Sequence, residues 1–339
     1  MNISIATVWL SLMLCVILIG VAGSRLSRYG DVIADKTGMG GTWIGLILLA
    51  TVTSLPELMT GISSVTLADT PDIALGNVLG SCVFNLMLIT ILDFLIRGES
   101  VYSRVSQGHI LSAGFGIILI GILGFNLLIG TNGWTASLGH VGLYSLVIIV
   151  LYAIAMRTVF RYNRAQQKEF LDEVVERYPG LTLREAVGRY ALSALVVVAT
   201  GIWLPFVGSE LALVMGWGQS FVGTLFVAMV TCVPEAVVTI SALRLGAFDM
   251  AISNLLGSNL FNVLIIAIDD IFFVKGALLS HASTLHAVSV LSAVMMSGVV
   301  IVGLLYRPQT RLFRSVGWAS LFLLSLYLLN SFVLYLYGK

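Results

Sequence analysis

Charged side chains are scarce in this sequence: Asp, Glu, Lys and Arg make up 10% of the 339 residues, whereas hydrophobic residues make up 58%. A soluble domain usually carries about a quarter charged residues, so this composition excludes an ordinary water-soluble fold. The formal net charge of +1 comes without a basic cluster, which gives no indication of nucleic-acid binding. The composition therefore indicates a protein of the lipid bilayer.

Cysteine is also rare, and its three residues, Cys15, Cys82 and Cys232, lie far apart in apolar segments. Their spacing matches neither a disulfide framework nor a zinc site. Basic residues are missing before the first apolar run, and Arg25 and Arg28 follow it, whereas a cleavable signal carries its positive charge first. We interpret this first run as a membrane span.

Apolar stretches long enough to cross a hydrocarbon core of about 30 Å recur ten times. Because these runs lack strict alternation of polar and apolar residues, they predict helices rather than barrel strands. The predicted fold is an all-α membrane protein with ten transmembrane helices. The predicted spans are 3–22, 41–67, 72–96, 108–129, 139–157, 185–206, 219–243, 248–273, 282–305 and 314–336.

Basic residues are distributed unevenly between the loops that these spans define. Sixteen of the 18 Lys and Arg residues fall on one side, and only Lys275 and Lys339 fall on the other. By the positive-inside rule, the basic side is cytoplasmic. We therefore expect a multi-pass protein of the cell (plasma or inner) membrane, with both termini outside and no obligatory protein partner.

The sequence contains two similar halves. Residues 50–57 read ATVTSLPE and residues 228–235 read AMVTCVPE; residues 74–85 read ALGNVLGSCVFN and residues 251–262 read AISNLLGSNLFN. The two copies lie five predicted spans apart, in the second and third and in the seventh and eighth spans, and because five is odd the second copy crosses the membrane in the opposite sense. Inverted repeats with Gly- or Pro-interrupted helices are typical of transporters with a site near the midplane.

These repeats divide the chain into three parts. We predict a first five-helix repeat at 1–157, a cytoplasmic linker at 158–184 and a second, inverted five-helix repeat at 185–339. The linker is too short to bury a core of its own.

An acidic residue lies near the middle of two equivalent spans, Glu57 in the second and Glu235 in the seventh. An ionised group there costs at least about 3 kcal/mol, and no Lys or Arg lies mid-span to neutralise it. The missing counter-charge is most simply a bound cation. Protonated or structurally paired acids are the alternative interpretation.

Proline precedes each acid, at Pro56 and Pro234. Proline removes a helix hydrogen bond and pushes away the carbonyl four residues back. Carbonyls freed near Thr53 and Thr231 could then ligate a metal ion, because irregular backbone is tolerated in lipid where it lines a cavity. A simple packing kink is the alternative.

The third and eighth spans supply further oxygen atoms. Ser81 with Asn85, and Ser258 with Asn262, are spaced four residues apart, which places each pair on one helical face. Ca²⁺ takes about 6–8 oxygen ligands in flexible arrangements, whereas Mg²⁺ requires a stiffer octahedral site. The set includes no His or thiolate cluster, which disfavours zinc and copper. Hydrogen bonding between helices is the structural alternative for these residues.

With these motifs the sequence resembles the Ca²⁺/cation antiporter superfamily and, within it, the sodium/calcium exchangers. The resemblance implies that the two Glu bind Ca²⁺ and Na⁺ alternately, and that spans one and six slide against the rest. Two positions depart from the family pattern: Cys232 stands where Ser is common, and Asn262 stands where some members carry Asp. The site that the resemblance implies consists of Glu57, Glu235, Thr53, Thr231, Ser54, Ser81, Asn85, Ser258 and Asn262, with carbonyls near Ala50 and Ala228 as Na⁺ ligands.

The predicted function is antiport of Ca²⁺ against Na⁺ by alternating access at a central site, with no cofactor. Exchange of Ca²⁺ or another divalent cation against H⁺ is the alternative, since two buried carboxylates can take up two protons. A cation channel is a more remote alternative, because inverted halves around one site favour alternation. The sequence has neither a Gly-x-Ser-x-Gly nor a His-Glu-x-x-His motif, so an enzyme is not expected.

Overall fold

The computed structural model describes residues 4–37, 52–96, 99–130, 136–167, 180–307, 311–312 and 316–338. The helices of this part are α1 (Ile5–Lys36), α2 (Leu55–Thr66), α3 (Pro71–Leu95), α4 (Val101–Arg104), α5 (His109–Gly130), α6 (Leu143–Gln167), α7 (Leu183–Met215), α8 (Gln219–Val222), α9 (Ala228–Thr231), α10 (Val233–Arg244), α11 (Phe248–Phe272), α12 (His286–Tyr306) and α13 (Trp318–Tyr337). A π-helical turn at Gly223–Val227 joins α8 to α9, and a 3₁₀ turn lies at Leu278–Ser280.

Two short antiparallel hairpins complete the described structure. They pair β1 (Ser137–Leu138) with β2 (Val141–Gly142) and β3 (Arg311–Leu312) with β4 (Val316–Gly317). The second strand of each hairpin leads directly into a long helix, α6 or α13.

Eight of the described helices are long and apolar enough to cross a membrane, or nine when the bent segment at Gln219–Thr231 and Val233–Arg244 counts as one span. This confirms an all-helical membrane protein. The predicted second span, 41–67, is described only from residue 52 onward, so the count of ten stays a prediction.

Three helices are longer than the sequence predicted. The first predicted span, 3–22, continues to Lys36; the fifth continues to Gln167; and the sixth begins at Leu183 and ends at Met215. The apolar run marks only the lipid-buried part of a helix, whereas hydrogen bonding continues through polar residues beyond it. Residues 158–167 of the predicted linker are therefore the end of α6, and residues 168–179 lie outside the described part.

Helix breaks lie where the prolines predict them. Ser54 interrupts the helix just before α2, whose first turn contains Pro56, and Cys232 separates α9 from α10, which contains Pro234. The two segments on either side of Cys232 meet at 47°. Proline cannot donate the hydrogen bond that would carry the helix through this point.

The long helices α1 and α7 pack against each other and cross the broken segments. A Cβ placed on Gly23 of α1 would meet the Pro234 ring, and a Cβ placed on Gly201 of α7 would lie 2.9 Å from Met59 Cβ and 3.4 Å from the Pro56 carbonyl oxygen. The two glycines are separated by the same stretch of sequence as Glu57 and Glu235, so they occupy equivalent positions of the two halves. Glycine at these crossings permits the close helix approach that packing in a membrane favours.

A buried aspartate has the same role in each half. Asp93 accepts hydrogen bonds from Ser100 Oγ, Val101 N, Gly317 N and Ser320 Oγ at 2.8–3.0 Å. Its equivalent in the second half, Asp270, is bonded in the same way by the side chains of Tyr144 and Ser145 and the backbone amides of Gly142 and Leu278. Asp93 thereby joins the β3–β4 hairpin, which leads into α13, to the turn after α3. Asp270 likewise joins the β1–β2 hairpin, which leads into α6, to the turn after α11.

A second pair of equivalent contacts joins the loops to the helix starts. His286 Nε2 and the Ser283 amide lie 3.0 and 2.7 Å from Asp72 Oδ1. His109 Nε2 and the Ser106 amide lie 2.9 and 2.7 Å from Asp249 Oδ1. The two aspartates, the two serines and the two histidines are each separated by the same number of residues as Asn85 and Asn262. These repeated contacts support the prediction of two related halves.

Candidate cation-binding site

The predicted site residues lie in the interior of the protein. Ten of them fall within the described part, and none of these is more than 1% exposed: Thr53, Ser54, Glu57, Ser81, Asn85, Ala228, Thr231, Glu235, Ser258 and Asn262. Ala50 lies outside the described residues. Burial of so many polar side chains is unusual and requires partners or a ligand.

The two glutamates lie close enough to interact electrostatically. The thiol of Cys232 lies near both of them. Among the described residues, no Lys, Arg or His forms an ion pair with Glu57 or Glu235, because the ion pairs found there join other side chains. The pair therefore contributes two carboxylates to one buried place.

Each glutamate faces the helix break of the other half. Ser54 Oγ donates to Glu235 Oε1 at 3.3 Å, and Thr53 lies beside the same carboxylate. Thr231 and Cys232 lie beside Glu57, although Thr231 Oγ1 is already 2.9 Å from Asn77 Oδ1 and 3.1 Å from the Ala228 carbonyl. This crossed arrangement assembles both motifs into one site.

Two asparagines hold the glutamate-bearing helices in place. Asn77 Nδ2 of α3 donates to the backbone carbonyl of Glu57 at 3.2 Å, and Asn254 Nδ2 of α11 lies 3.4 Å from the carbonyl of Glu235. Asn254 also donates to Thr239 Oγ1 at 2.9 Å. These contacts join neighbouring helices through the two asparagine side chains.

The centre of the site lies where α3 crosses α11. Asn85 Nδ2 donates to Asn259 Oδ1 at 3.0 Å, and Asn259 Nδ2 donates to the Cys82 carbonyl at 3.1 Å. The hydroxyls of Ser81 and Thr231 are 3.5 Å apart. Asn259 of α11, which sequence analysis did not single out, therefore links the Asn85 side chain to the backbone of α3.

Several polar atoms of the site have no hydrogen-bond partner among the described residues. An unpaired buried polar group costs free energy, and an unpaired buried charge costs more. All of these atoms except one amide nitrogen are suitable ligands for a hard cation. They are both carboxylate oxygens of Glu57, Glu235 Oε2, Asn85 Oδ1, Ser258 Oγ, and the amide oxygen and nitrogen of Asn262.

Glycines on α3 bring the broken seventh span close to this site. A Cβ on Gly76 would lie 2.9 Å from the Gly223 Cα, and a Cβ on Gly80 would lie 2.7 Å from the Ala228 Cβ. The irregular backbone of this span is thus packed against protein, where it is tolerated in a membrane. The Ala228 carbonyl, predicted as a Na⁺ ligand, accepts here from Thr231 Oγ1 and from the Cys232 amide.

A family model described as "Sodium/calcium exchanger protein" matches residues 7–153 and 186–336 of this chain. This confirms the resemblance that the motifs indicated. The sodium/calcium exchanger MaX1 of Methanosarcina acetivorans is 24% identical over 278 residues, which are 73% of this chain and 77% of that protein.

Solved structures share the fold. The sodium-calcium exchanger NCX_Mj aligns with a TM-score of 0.60 and 20% identity, covering 96% of this chain and 98% of that one. The H⁺/Ca²⁺ exchanger CAX aligns with a TM-score of 0.68 and 14% identity, covering 98% of this chain and 86% of that one. These proteins are transporters, and the helical membrane fold is common to both.

Proposed function

Because this chain belongs to the sodium/calcium exchanger protein family, we propose that it is a secondary antiporter that exchanges Ca²⁺ for Na⁺. The proposed transport site lies between Glu57 and Glu235. It includes the neighbouring oxygen ligands of the four predicted motifs, and each ion occupies it in turn.

One observation carries this proposal: two buried glutamates share a place in which three of their four carboxylate oxygens lack a partner among the described residues. Unit charges about 4 Å apart repel by about 4 kcal/mol at an effective dielectric constant of about 20. A cation between the carboxylates removes this repulsion and supplies the missing partner. The surrounding hydroxyl and amide oxygens suit Ca²⁺.

Obligatory exchange follows from the charge of the site. A bare pair carries two negative charges and resists transfer through the low-dielectric interior. One Ca²⁺ makes the pair neutral, two protons do the same, and three Na⁺ leave it at +1. The coupling ion therefore determines whether exchange moves charge across the membrane.

The proposed moving elements are α1 and α7. They pack together and contact the broken helices through Gly23 and Gly201. Small residues at a crossing leave few interlocking side chains, so sliding there requires little repacking. This supports the expectation, taken from the family resemblance, that the first and sixth spans move against the rest.

Exchange against H⁺ is the second candidate. Cys232 lies near both glutamates and offers a soft sulfur where a hydroxyl oxygen would serve Na⁺ better. Asn262 contributes no third carboxylate. Both features weaken Na⁺ binding more than they weaken protonation of the glutamates.

The proposed setting is the cell membrane, with the termini outside. The uneven distribution of Lys and Arg supports this orientation. The ten-helix arrangement as two inverted repeats belongs to the same proposal, and the contacts that recur at equivalent positions of the two halves support it.

The decisive experiment measures ⁴⁵Ca²⁺ uptake into proteoliposomes under an imposed Na⁺ or pH gradient. We expect uptake driven by Na⁺ and abolished by Glu57→Gln or Glu235→Gln, since each variant removes one charge without changing shape. Glu99→Gln is the matched control, because its carboxylate is exposed.

Uptake driven by a pH gradient alone would replace Na⁺ with H⁺ as the coupling ion. Unchanged uptake in either central variant would contradict the site assignment. An ion flux per protein molecule higher than a carrier can sustain by turning over would indicate a channel instead.

A further inference from the structure

Asp269 is a third buried acid whose environment differs from that of its neighbour. Asp270 accepts four hydrogen bonds. Asp269 is 0% exposed, and neither of its carboxylate oxygens has a hydrogen-bond partner among the described residues. A buried carboxylate without donors requires a proton or a cation. Structural anchoring therefore explains Asp270 but not Asp269.

The Asp269 carboxylate lies against α2. A Cβ placed on Gly61 would lie 2.6 Å from Asp269 Oδ1. Gly61 is four residues after Glu57, which is one helical turn and a rise of about 6 Å on the same face. The Asp269 carboxylate thus lies one turn from Glu57 along α2.

Two side chains with unpartnered atoms, Asn262 and Asp269, form a stripe along one face of α11. Asp269 is seven residues after Asn262 and shares its helical face, with a rise of about 10.5 Å between them. Thr60, one residue before Gly61, is fully buried, and its Oγ1 also has no partner in the described part. Unpartnered oxygens therefore occur on both α2 and α11 beyond the central residues.

This stripe leads toward the end of the bundle that carries Asp69 and Lys275. Lys275 is the basic residue nearest to Asp269 in the sequence, and its Nζ donates to Asp69 Oδ2 at 2.6 Å. In the described structure Asp269 forms no ion pair. Its charge is therefore not neutralised by the lysine that is closest along the chain.

The first half does not share this acid. Asp93 and Asp270 are equivalent, so the position equivalent to Asp269 is the one before Asp93, which is Leu92. An aspartate that the fold required would be expected in both halves. Asp269 is instead an acid that only one of the two halves carries.

We propose that Asp269, with the Thr60 hydroxyl, binds a Na⁺ ion one helical turn from the central glutamates. This inference rests on the proposed Na⁺/Ca²⁺ exchange. The single negative charge selects a monovalent cation, because Ca²⁺ would leave an uncompensated positive charge in the interior. Carboxylate and hydroxyl oxygens are ligands for hard cations. The ion at this site is an additional coupling ion, which crosses the membrane in the direction opposite to each Ca²⁺ exchanged.

The test compares the intact protein with Asp269→Asn, which removes the charge and keeps the shape. Two quantities are measured: equilibrium binding of ²²Na⁺ to purified protein, and the number of Na⁺ per Ca²⁺ from the reversal potential in proteoliposomes. We expect one fewer bound Na⁺ and one fewer Na⁺ per Ca²⁺. Thr60→Val keeps the charge and should raise the half-saturating Na⁺ concentration roughly fivefold, as expected for losing one ligand contact.

Equal Na⁺ binding and stoichiometry in Asp269→Asn would overturn the inference. The inference would also be overturned if Asp269→Asn abolished a pH dependence of transport but left Na⁺ binding unchanged, because the occupant of the site would then be a proton. If Asp269→Asn does not fold, an unchanged Na⁺ dependence in Thr60→Val rejects the site. Failure of the proposed exchange would give a different result. Either the wild-type protein would show no Na⁺-driven Ca²⁺ uptake, or the Glu57→Gln and Glu235→Gln variants would leave that uptake unchanged.

Discussion

The adjacent residues Asp269 and Asp270 allow a stringent test of the structure. Substituting each with asparagine makes the same chemical change at neighbouring buried positions of α11. In Asp270→Asn, an NH₂ group replaces an oxygen that accepts two hydrogen bonds. We expect Asp270→Asn to be strongly destabilised and Asp269→Asn to unfold at or above the wild-type temperature.

The magnitude follows from the contacts. Oδ1 of Asp270 accepts from Tyr144 Oη at 2.6 Å and from Leu278 N at 2.7 Å, whereas Oδ2 accepts from Gly142 N at 2.8 Å and from Ser145 Oγ. A hydroxyl can rotate away, but the backbone amide cannot, so either amide orientation of Asn leaves one N–H facing a donor. Each unsatisfied buried group costs about 1–3 kcal/mol, so we expect a loss of about 2–6 kcal/mol.

The assay is thermal unfolding in detergent, followed with a thiol-reactive fluorescent dye. The three cysteines, Cys15, Cys82 and Cys232, are buried and unpaired, so the dye reports loss of the fold. Equal midpoints for Asp270→Asn and the wild type would refute the anchoring role of Asp270. A midpoint for Asp269→Asn as low as that for Asp270→Asn would show that Asp269, too, is held by donors that the substitution disturbs.

Two further predictions concern the broken helices. Gly23→Ala should lower the unfolding midpoint, because its methyl group would meet the rigid Pro234 ring, and overpacking usually costs about 1–3 kcal/mol. The control is Gly114→Ala, whose methyl group would meet no described atom within 4 Å. Equal losses of stability in the two variants would contradict the contact with Pro234. Cys232→Ser should lower the half-saturating Na⁺ concentration for Ca²⁺ exchange, since a hydroxyl oxygen would replace a soft sulfur near both glutamates; an unchanged Na⁺ dependence would show that the position does not ligate Na⁺.

The main features of the site could be predicted because they depend on local rules. A proline before a mid-span glutamate predicts a helix break, and the structure has one before each acid. Spacings of four place Ser81 with Asn85 on one face of a helix, and the repeat indicates that both motifs converge. The crossing of the halves, in which Ser54 bonds Glu235, depends on how the helices pack and cannot be read from spacing.

The buried aspartates show where prediction from the sequence ends. Asp93, Asp269 and Asp270 lie in apolar spans, and this signal could have singled them out. Their different roles could not be predicted, because most donors to Asp270 come from a distant part of the chain and include a backbone amide. Helix ends were also misplaced, since Lys36 still belongs to α1.

The positions at which the two halves differ are the best places to look for what distinguishes the two ions. Asp93 and Asp270, which match, anchor a hairpin in each half, so this pair serves the fold. Ser54 is matched by Cys232, and Leu92 is matched by Asp269. A single symmetric pair of glutamates can hold one divalent cation without any such difference. Exchange of unequal numbers of ions would require ligands beyond this pair, and we expect Ser54 and Asp269 to supply them.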